Sequence, residues 1–349
     1  DSVVSYRTVI YFLMGFSIAY GMTMCGKATD LIAGNNGYNL AHFFFLLCFA
    51  AVIPAIISGG VAARMKFGPQ VLAGAIFVAF AYPLFEGLVW GRFNELGSAD
   101  GWLAGIFGAG FHDYAGSVVV HAMGGWLALP GILLLGPRMG RYVNGDSRPL
   151  QIHSVPFVSL GSWLLMIGWF GFNVASAATL PNISGLVAAN SLLAMGGGLI
   201  SAVLISRRDS VFVYNGALAG LVAVCAGSDV MQPLAALAVG AVAGLIFVKG
   251  FLWANEKLRI DDVLGVWPLH GLCGAWGGIA AGIFGYEQLG GVGGVNFFSQ
   301  LSGTLICIAI ALTFSGVTYF IINKTIGIRL TPQQELLGSD LSIHAGKAY

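Results

Sequence analysis

Two histidines, His121 and His270, stand in long stretches that otherwise hold almost no ionisable side chain. An imidazole gives and accepts a proton near neutral pH, and one ring can hydrogen-bond another. A single histidine in an apolar core is more often a packing residue. Two at matched depth in oppositely directed helices point instead to a bonded pair along the path of a small substrate. Asp113 lies eight residues ahead of the first, in FHDYAGSVVVH. It reads as a helix N-cap, as a carboxylate that stabilises a passing cation, or as both. In IGWFGFNVAS, Trp169, Phe172 and Ser176 follow at spacings of three and four, so they share one helical face. Aromatic faces attract cations by about 0.5–2 kcal/mol each, and a serine oxygen accepts a hydrogen bond. That set suits a small desolvated cation, although ordinary packing would also produce it.

These residues need elements that can hold them in an apolar medium. Only 9% of the 349 residues are charged and 57% are hydrophobic, whereas a soluble domain carries about a quarter charged residues. Such a chain cannot cover a water-facing surface, so lipid is its solvent. The 52 glycines suit helices packed closely through small residues. A net charge of +1, with no strongly basic run in the sequence, argues against a nucleic-acid partner. Cys25, Cys48, Cys225, Cys273 and Cys307 show no disulfide framework and no metal spacing, and read as small core hydrophobes. No zinc-protease, nucleophile-elbow or P-loop motif is present, so neither an enzyme, a metal site nor a cofactor is expected.

About 20 apolar residues span a bilayer. By that measure ten spans are expected, at 4–24, 40–62, 71–90, 114–135, 155–178, 185–205, 212–226, 233–252, 263–284 and 299–322. Backbone groups in lipid must be satisfied internally, and no barrel-like alternation is seen, so the spans are helices. The fold class expected is an all-α polytopic membrane protein. Each histidine falls about eight residues into its span, which at ~1.5 Å per residue is ~12 Å deep.

One set of loops carries Arg64, Lys66, Arg138, Arg141, Arg148, Arg207, Arg208, Lys249, Lys257 and Arg259; the opposite set carries Lys27 and Arg92. This bias puts the first set in the cytoplasm. Both ends follow, with Arg7 at one and Lys324, Arg329 and Lys347 at the other. Residues 1–328 are then the membrane domain, and 329–349 a cytoplasmic tail too short to fold alone. The start, Asp1-Ser2-Val3-Val4, has neither an initiator methionine nor a signal-peptide pattern, as in a processed or truncated chain. The segments VVVHAMGGWLAL and WPLHGLCGAWGGIA form a weak repeat. Their spans lie five apart, so they cross in opposite directions, as inverted repeats do.

DYAGSVVVH, WFGFN, LHGLCG and the tail GIRL…ELLGSDLSIHAGKAY together resemble the ammonium transporter and Rhesus-protein family over essentially the whole chain. The resemblance implies a homotrimer with one pore per subunit and eleven helices in an inverted five-plus-five repeat, the family's first helix being absent from this chain. It implies transport of ammonium or ammonia across the bacterial inner membrane. His121 and His270 match the paired pore histidines. Phe49 and Phe172 match stacked phenylalanines gating the pore. Ser176, Trp90 and Phe49 match the outer cation-recruiting site, with Trp102 the alternative to Trp90. Asp113 matches the aspartate beneath that site, and Trp169 a pore-lining tryptophan. Leu46 stands where a glutamine is usual, and Gly265 where an acidic residue is usual before the second histidine. An alternative is an ammonium sensor that signals through a PII-type regulatory protein or a fused domain at the tail. A weaker one is a Rhesus-type gas channel.

Overall fold

The computed structural model describes residues 2–344 apart from Asn35, Gln151, His153, Leu180 and Arg208. Arg208 and Lys347, counted above among the basic residues, and Asp1 at the start lie outside the described residues. Among the described residues the chain forms ten long helical runs. Seven are long and apolar enough to cross a membrane: Asn36–Val61, Phe67–Val89, Ser117–Leu135, Val155–Ala175, Ile183–Ile205, Pro233–Lys257 and Phe297–Thr325. The other three are residues 2–20, Ser210–Val224 and residues 267–284. Numbered first to tenth in chain order, they answer one for one to the ten expected spans. Their outward faces are apolar. Trp163, Leu164 and Ile167 of the fifth helix and Leu204 of the sixth are exposed, the opposite of a helix that turns a polar face to water.

The ends of the two histidine helices differ from expectation. The fourth begins at Ser117 and the ninth at Trp267, so His121 and His270 sit in the first turn or so of their helices. Ahead of the fourth helix the chain enters the protein extended, with Tyr114 and Ala115 N–H donating to the Ala226 and Cys225 carbonyls. Apolar residues there are buried by protein rather than by helix, which is why they read as span. Gly116 and Gly265 have φ of +92° and +67°. Those values stop the helices from extending backwards.

Gly265 occupies the place of Gly116, five residues before its histidine. The acidic counterpart of Asp113 is Asp262, eight residues before His270. Asp113 accepts from Gly116, Val118 and Val119 N–H at 3.2, 2.9 and 2.7 Å. Asp262 accepts from Val266 and Trp267 N–H at 3.0 and 2.8 Å. Each carboxylate meets the orphan donors and positive dipole end of a helix.

The two helices pack tightly. A β-carbon on Gly125 would collide with the backbone of Gly271, and one on Gly274 with the backbone of Ser117 and Ala122. Each glycine stands four residues after its own histidine and meets the residue after the other, a local twofold relationship. Two cysteines depart from the core reading: Cys225, Cys273 and Cys307 are buried, but Cys25 and Cys48 are exposed. Cys25 lies in a loop, and Cys48 points away from the bundle on the second helix.

Arg64, Arg138, Arg141 and Arg329 gather on one face. Arg64 donates to the carbonyls of Gly60, Gly136 and Asp261 at 2.9, 2.9 and 2.7 Å. Arg138 forks onto Asp261 with two 2.8 Å bonds. Burial raises the Asp261 carboxyl, but these bonds outweigh it and leave it below the ordinary range. The tail is pinned to this face. Met65 and Arg329 form an antiparallel bridge, and Lys66 N–H donates to Ile328 O at 2.9 Å. Two short helices follow, Pro332–Leu337 behind a Thr331–Gln334 capping box, and Ser339–His344. Arg92 lies on the opposite face, its N–H donating to Ala19 O.

Candidate functional site

Five helices bring the sequence-selected residues together. The second supplies Phe49, the third ends at Trp90, the fifth carries Trp169 and Phe172 and ends at Ser176, and the fourth and ninth carry the histidines. Both histidines lie in π-helical turns, Ser117–Ala122 and Trp267–Leu272. Such wide turns re-aim side chains and occur often at functional sites.

His121 Nδ1 lies 3.2 Å from His270 Nδ1. One nitrogen must donate and the other accept, so the two Nε2 atoms differ, one bearing the proton and the other a lone pair. His121 Nε2 is buried with no hydrogen-bond partner among the described residues. Trp169 stacks on the His121 ring at 4.9 Å between centroids and donates its indole N–H to Cys225 Sγ at 3.1 Å. Beside the pair is a cavity of about 450 Å³ whose walls include Val52, Ile56, Phe172, Leu218 and Leu269.

Phe172 and Phe49 close that cavity on the Trp90 side. Their rings stack with centroids 4.0 Å apart and planes at 21°. Beyond the stack is a second cavity of about 150 Å³, lined by Tyr20, His42, Phe45, Leu46, Phe49, Trp90, Tyr114 and Ser176. Trp90 stands edge-on to Phe49 at 6.0 Å. Trp102 does not line this cavity; it is 47% exposed. The Ser176 hydroxyl donates to Phe172 O at 2.9 Å, which leaves its oxygen lone pairs unspent. Leu46 adds only apolar wall.

Asp113 is buried but lines neither cavity. Its carboxylate is spent on the helix start, and its own carbonyl accepts the Trp90 indole N–H at 2.8 Å. Asp113 thus caps the fourth helix with its side chain and holds the Trp90 ring with its backbone. Sequence reasoning missed Tyr20, His42, Phe45 and Tyr114 as wall residues. Only His42 carried a signal, as another imidazole at the edge of an apolar run. It also missed Asp262, although the D-x-x-G-x-x-x-x-H pattern of Asp113–His121 recurs from Asp262 to His270.

A membrane-spanning helical bundle with two cavities, divided by a phenyl stack and the larger one bordered by bonded histidines, defines a multi-pass membrane transport protein. Residues 1–349 match the family model described as Ammonium Transporter Family, and the chain belongs to that family. It is 41% identical over 344 residues to the ammonium transporter Amt2 of Methanocaldococcus jannaschii, covering 94% of this chain and 78% of that one. Among solved structures it is similar to a Sensor Amt Protein, with a TM-score of 0.85, 28% identity, and coverage of 98% of this chain and 87% of the other. It is also similar to the Nitrosomonas europaea Rhesus protein Rh50, with a TM-score of 0.71, 26% identity, and coverage of 93% and 80%. This is a family of transporters, not of enzymes.

Proposed function

We propose that this protein moves ammonium or ammonia through the path from the Trp90 cavity to the histidines. The observation that carries the reading is the 3.2 Å histidine pair in an apolar cavity directly behind the Phe49–Phe172 stack. The cation is drawn to the faces of Trp90 and Phe49, with the Ser176 oxygen accepting one of its N–H bonds. Asp113 adds negative potential from below. Burying a bare ion costs several kcal/mol, and the path beyond the stack has no charge to offset that. Ammonium therefore sheds a proton, and ammonia passes the rings. Trp169 holds His121 in plane, and the two Nε2 atoms offer ammonia a donor and an acceptor. Potassium has no proton to shed and donates no hydrogen bond, so the same path rejects it.

The test is the double variant His121→Ala/His270→Ala in proteoliposomes, measured as ammonium flux against potassium flux. Loss of flux, or loss of selectivity, is expected. Undiminished selective flux sinks the mechanism.

On this reading residues 1–328 form the transport domain and 329–349 its cytoplasmic tail. The basic face is cytoplasmic, the membrane is the plasma (bacterial inner) membrane, and the protein is a homotrimer. The apolar exposed faces support a lipid and subunit boundary. A PII-type protein or a fused signalling domain at the tail is the regulatory partner. The likeness to a Sensor Amt Protein and the pinned tail favour a second reading, ammonium sensing. Binding of ammonium without flux would select it. Comparing current with methylammonium uptake distinguishes charged passage from the neutral passage of a gas channel.

A further inference from the structure

Glu86 is an acidic side chain that the path described above leaves unused. It stands one turn before Trp90 on the third helix and is fully buried. Three phenols converge on its carboxylate. Tyr11 donates to its oxygens at 2.9 and 2.8 Å, and Tyr20 and Tyr82 each donate to Oε1 at 3.2 Å. No cationic side chain among the described residues pairs with it. An ionised carboxylate only accepts hydrogen bonds, at about four sites, so three single-proton donors match it. A buried charge without a counter-ion is costly. Inside a membrane protein such a group marks a functional place.

Tyr11 and Tyr82 are fully buried, but Tyr20 is half-buried and lines the small cavity with His42, Phe49, Trp90 and Ser176. Tyr20 is therefore the link between the carboxylate and the cavity. Its hydroxyl proton points to Glu86, and its oxygen keeps lone pairs for another donor. The other titratable groups around this link are few. His42, from the second helix, meets the Tyr20 ring edge-on at 6.1 Å. Asp113 lies behind Trp90, with its carboxylate committed to three backbone N–H groups.

We propose that Glu86, acting through Tyr20, takes the proton from ammonium held in the small cavity. The proposal rests on the transport reading above. As an ammonium N–H bond breaks, its proton goes to the phenol oxygen of Tyr20, and the phenol's own proton goes to Glu86 Oε1. Ammonium and carboxylate become ammonia and carboxylic acid, with no change of oxidation state. The acid resets by returning its proton through Tyr20 to water at the cavity mouth, once ammonia has passed the phenyl stack. Glu86 is thus a positioning residue for the proton, and Tyr20 is the group that touches the substrate.

The experiment is saturation of radiolabelled methylammonium uptake by the full chain in proteoliposomes, for wild type, Glu86→Gln, Tyr20→Phe and His42→Gln. Loss of a proton-transfer partner lowers the maximal rate by about a hundredfold or more, with the half-saturating concentration little changed. That result is expected for both Glu86→Gln and Tyr20→Phe, each checked for a wild-type gel-filtration profile and melting temperature. Tyr20→Phe keeps the carboxylate and the ring, and it carries the test if Glu86→Gln fails to fold. A weakened half-saturation with an intact maximal rate would make Glu86 a mere field source and overturn the proposal. So would loss of rate in His42→Gln alone. Wild type without uptake overturns the transport reading and this proposal together; wild-type uptake with undisturbed variants overturns only this one.

Discussion

Asp113 and Asp262 are equivalent: each stands eight residues before a histidine of the bonded pair, and each accepts the first N–H groups of that histidine's helix. Together they set where two opposed helices begin, and thereby the separation of His121 and His270. Each helix end is anchored by charge against dipole in a buried setting, where an unmet N–H is costly.

Replacing Asp262 by Ala leaves the Val266 and Trp267 N–H groups without their acceptor. A lost cap, with buried donors unsatisfied, costs about 2 kcal/mol. The melting temperature in detergent is expected to fall, with Asp262→Asn falling less because its amide oxygen still accepts. An unchanged melting temperature for Asp262→Ala would remove the cap from the account.

Gly125→Ala places a methyl group against the Gly271 backbone, which has no flexible end to yield. Overpacking of this kind costs about 1–3 kcal/mol. The fourth and ninth helices must part, so both stability and ammonium flux are expected to drop. A variant with wild-type melting and wild-type flux would show the contact to be looser than described.

Glu335 ties the tail to the basic face, accepting from Met139 N–H at 2.7 Å and pairing with Arg329 at 2.9 Å. Glu335→Ala removes both bonds but leaves the Met65–Arg329 bridge upstream of the break. Faster proteolysis after residue 331 is expected, with the melting temperature of the bundle unaltered. Equal cleavage rates in variant and wild type would mean that other contacts hold the tail.

On the Trp90 face, His112 Nε2 lies 3.0 Å from Asp229 Oδ1. Burial opposes protonation of this imidazole, but the Asp229 carboxylate outweighs it and raises the histidine above its ordinary value. A raised folded value means the stabilisation is complete below the unfolded value of about 6.5 and is lost as pH rises through the folded value. Melting temperature is therefore expected to decline across that range, and His112→Gln to flatten the decline. Gln300 clamps the His112 backbone with two 2.6 Å bonds, so the loop keeps its place when the pair breaks. The same pH slope in the variant would assign it to another group.

Composition and hydropathy by themselves determined that this is a multi-span helical membrane protein, because 57% hydrophobic residues in runs of bilayer length leave no other solvent and no other backbone solution. Residue type and spacing also singled out His121, His270, Phe172, Trp169 and Ser176, since an imidazole in an apolar run and an aromatic face at helical spacing stand out without coordinates. Hydropathy did not tell a helix start from a buried extended segment, because both are apolar. That is why the starts of the histidine helices lie later than hydropathy placed them. Tertiary structure alone decided which side chains meet across helices. It joined the two imidazoles at 3.2 Å, chose Trp90 over Trp102 as a cavity wall, and gathered Tyr11, Tyr20 and Tyr82 around Glu86. Those contacts join residues up to 149 positions apart, and their meeting depends on helix crossings and close glycine approaches that no local pattern encodes.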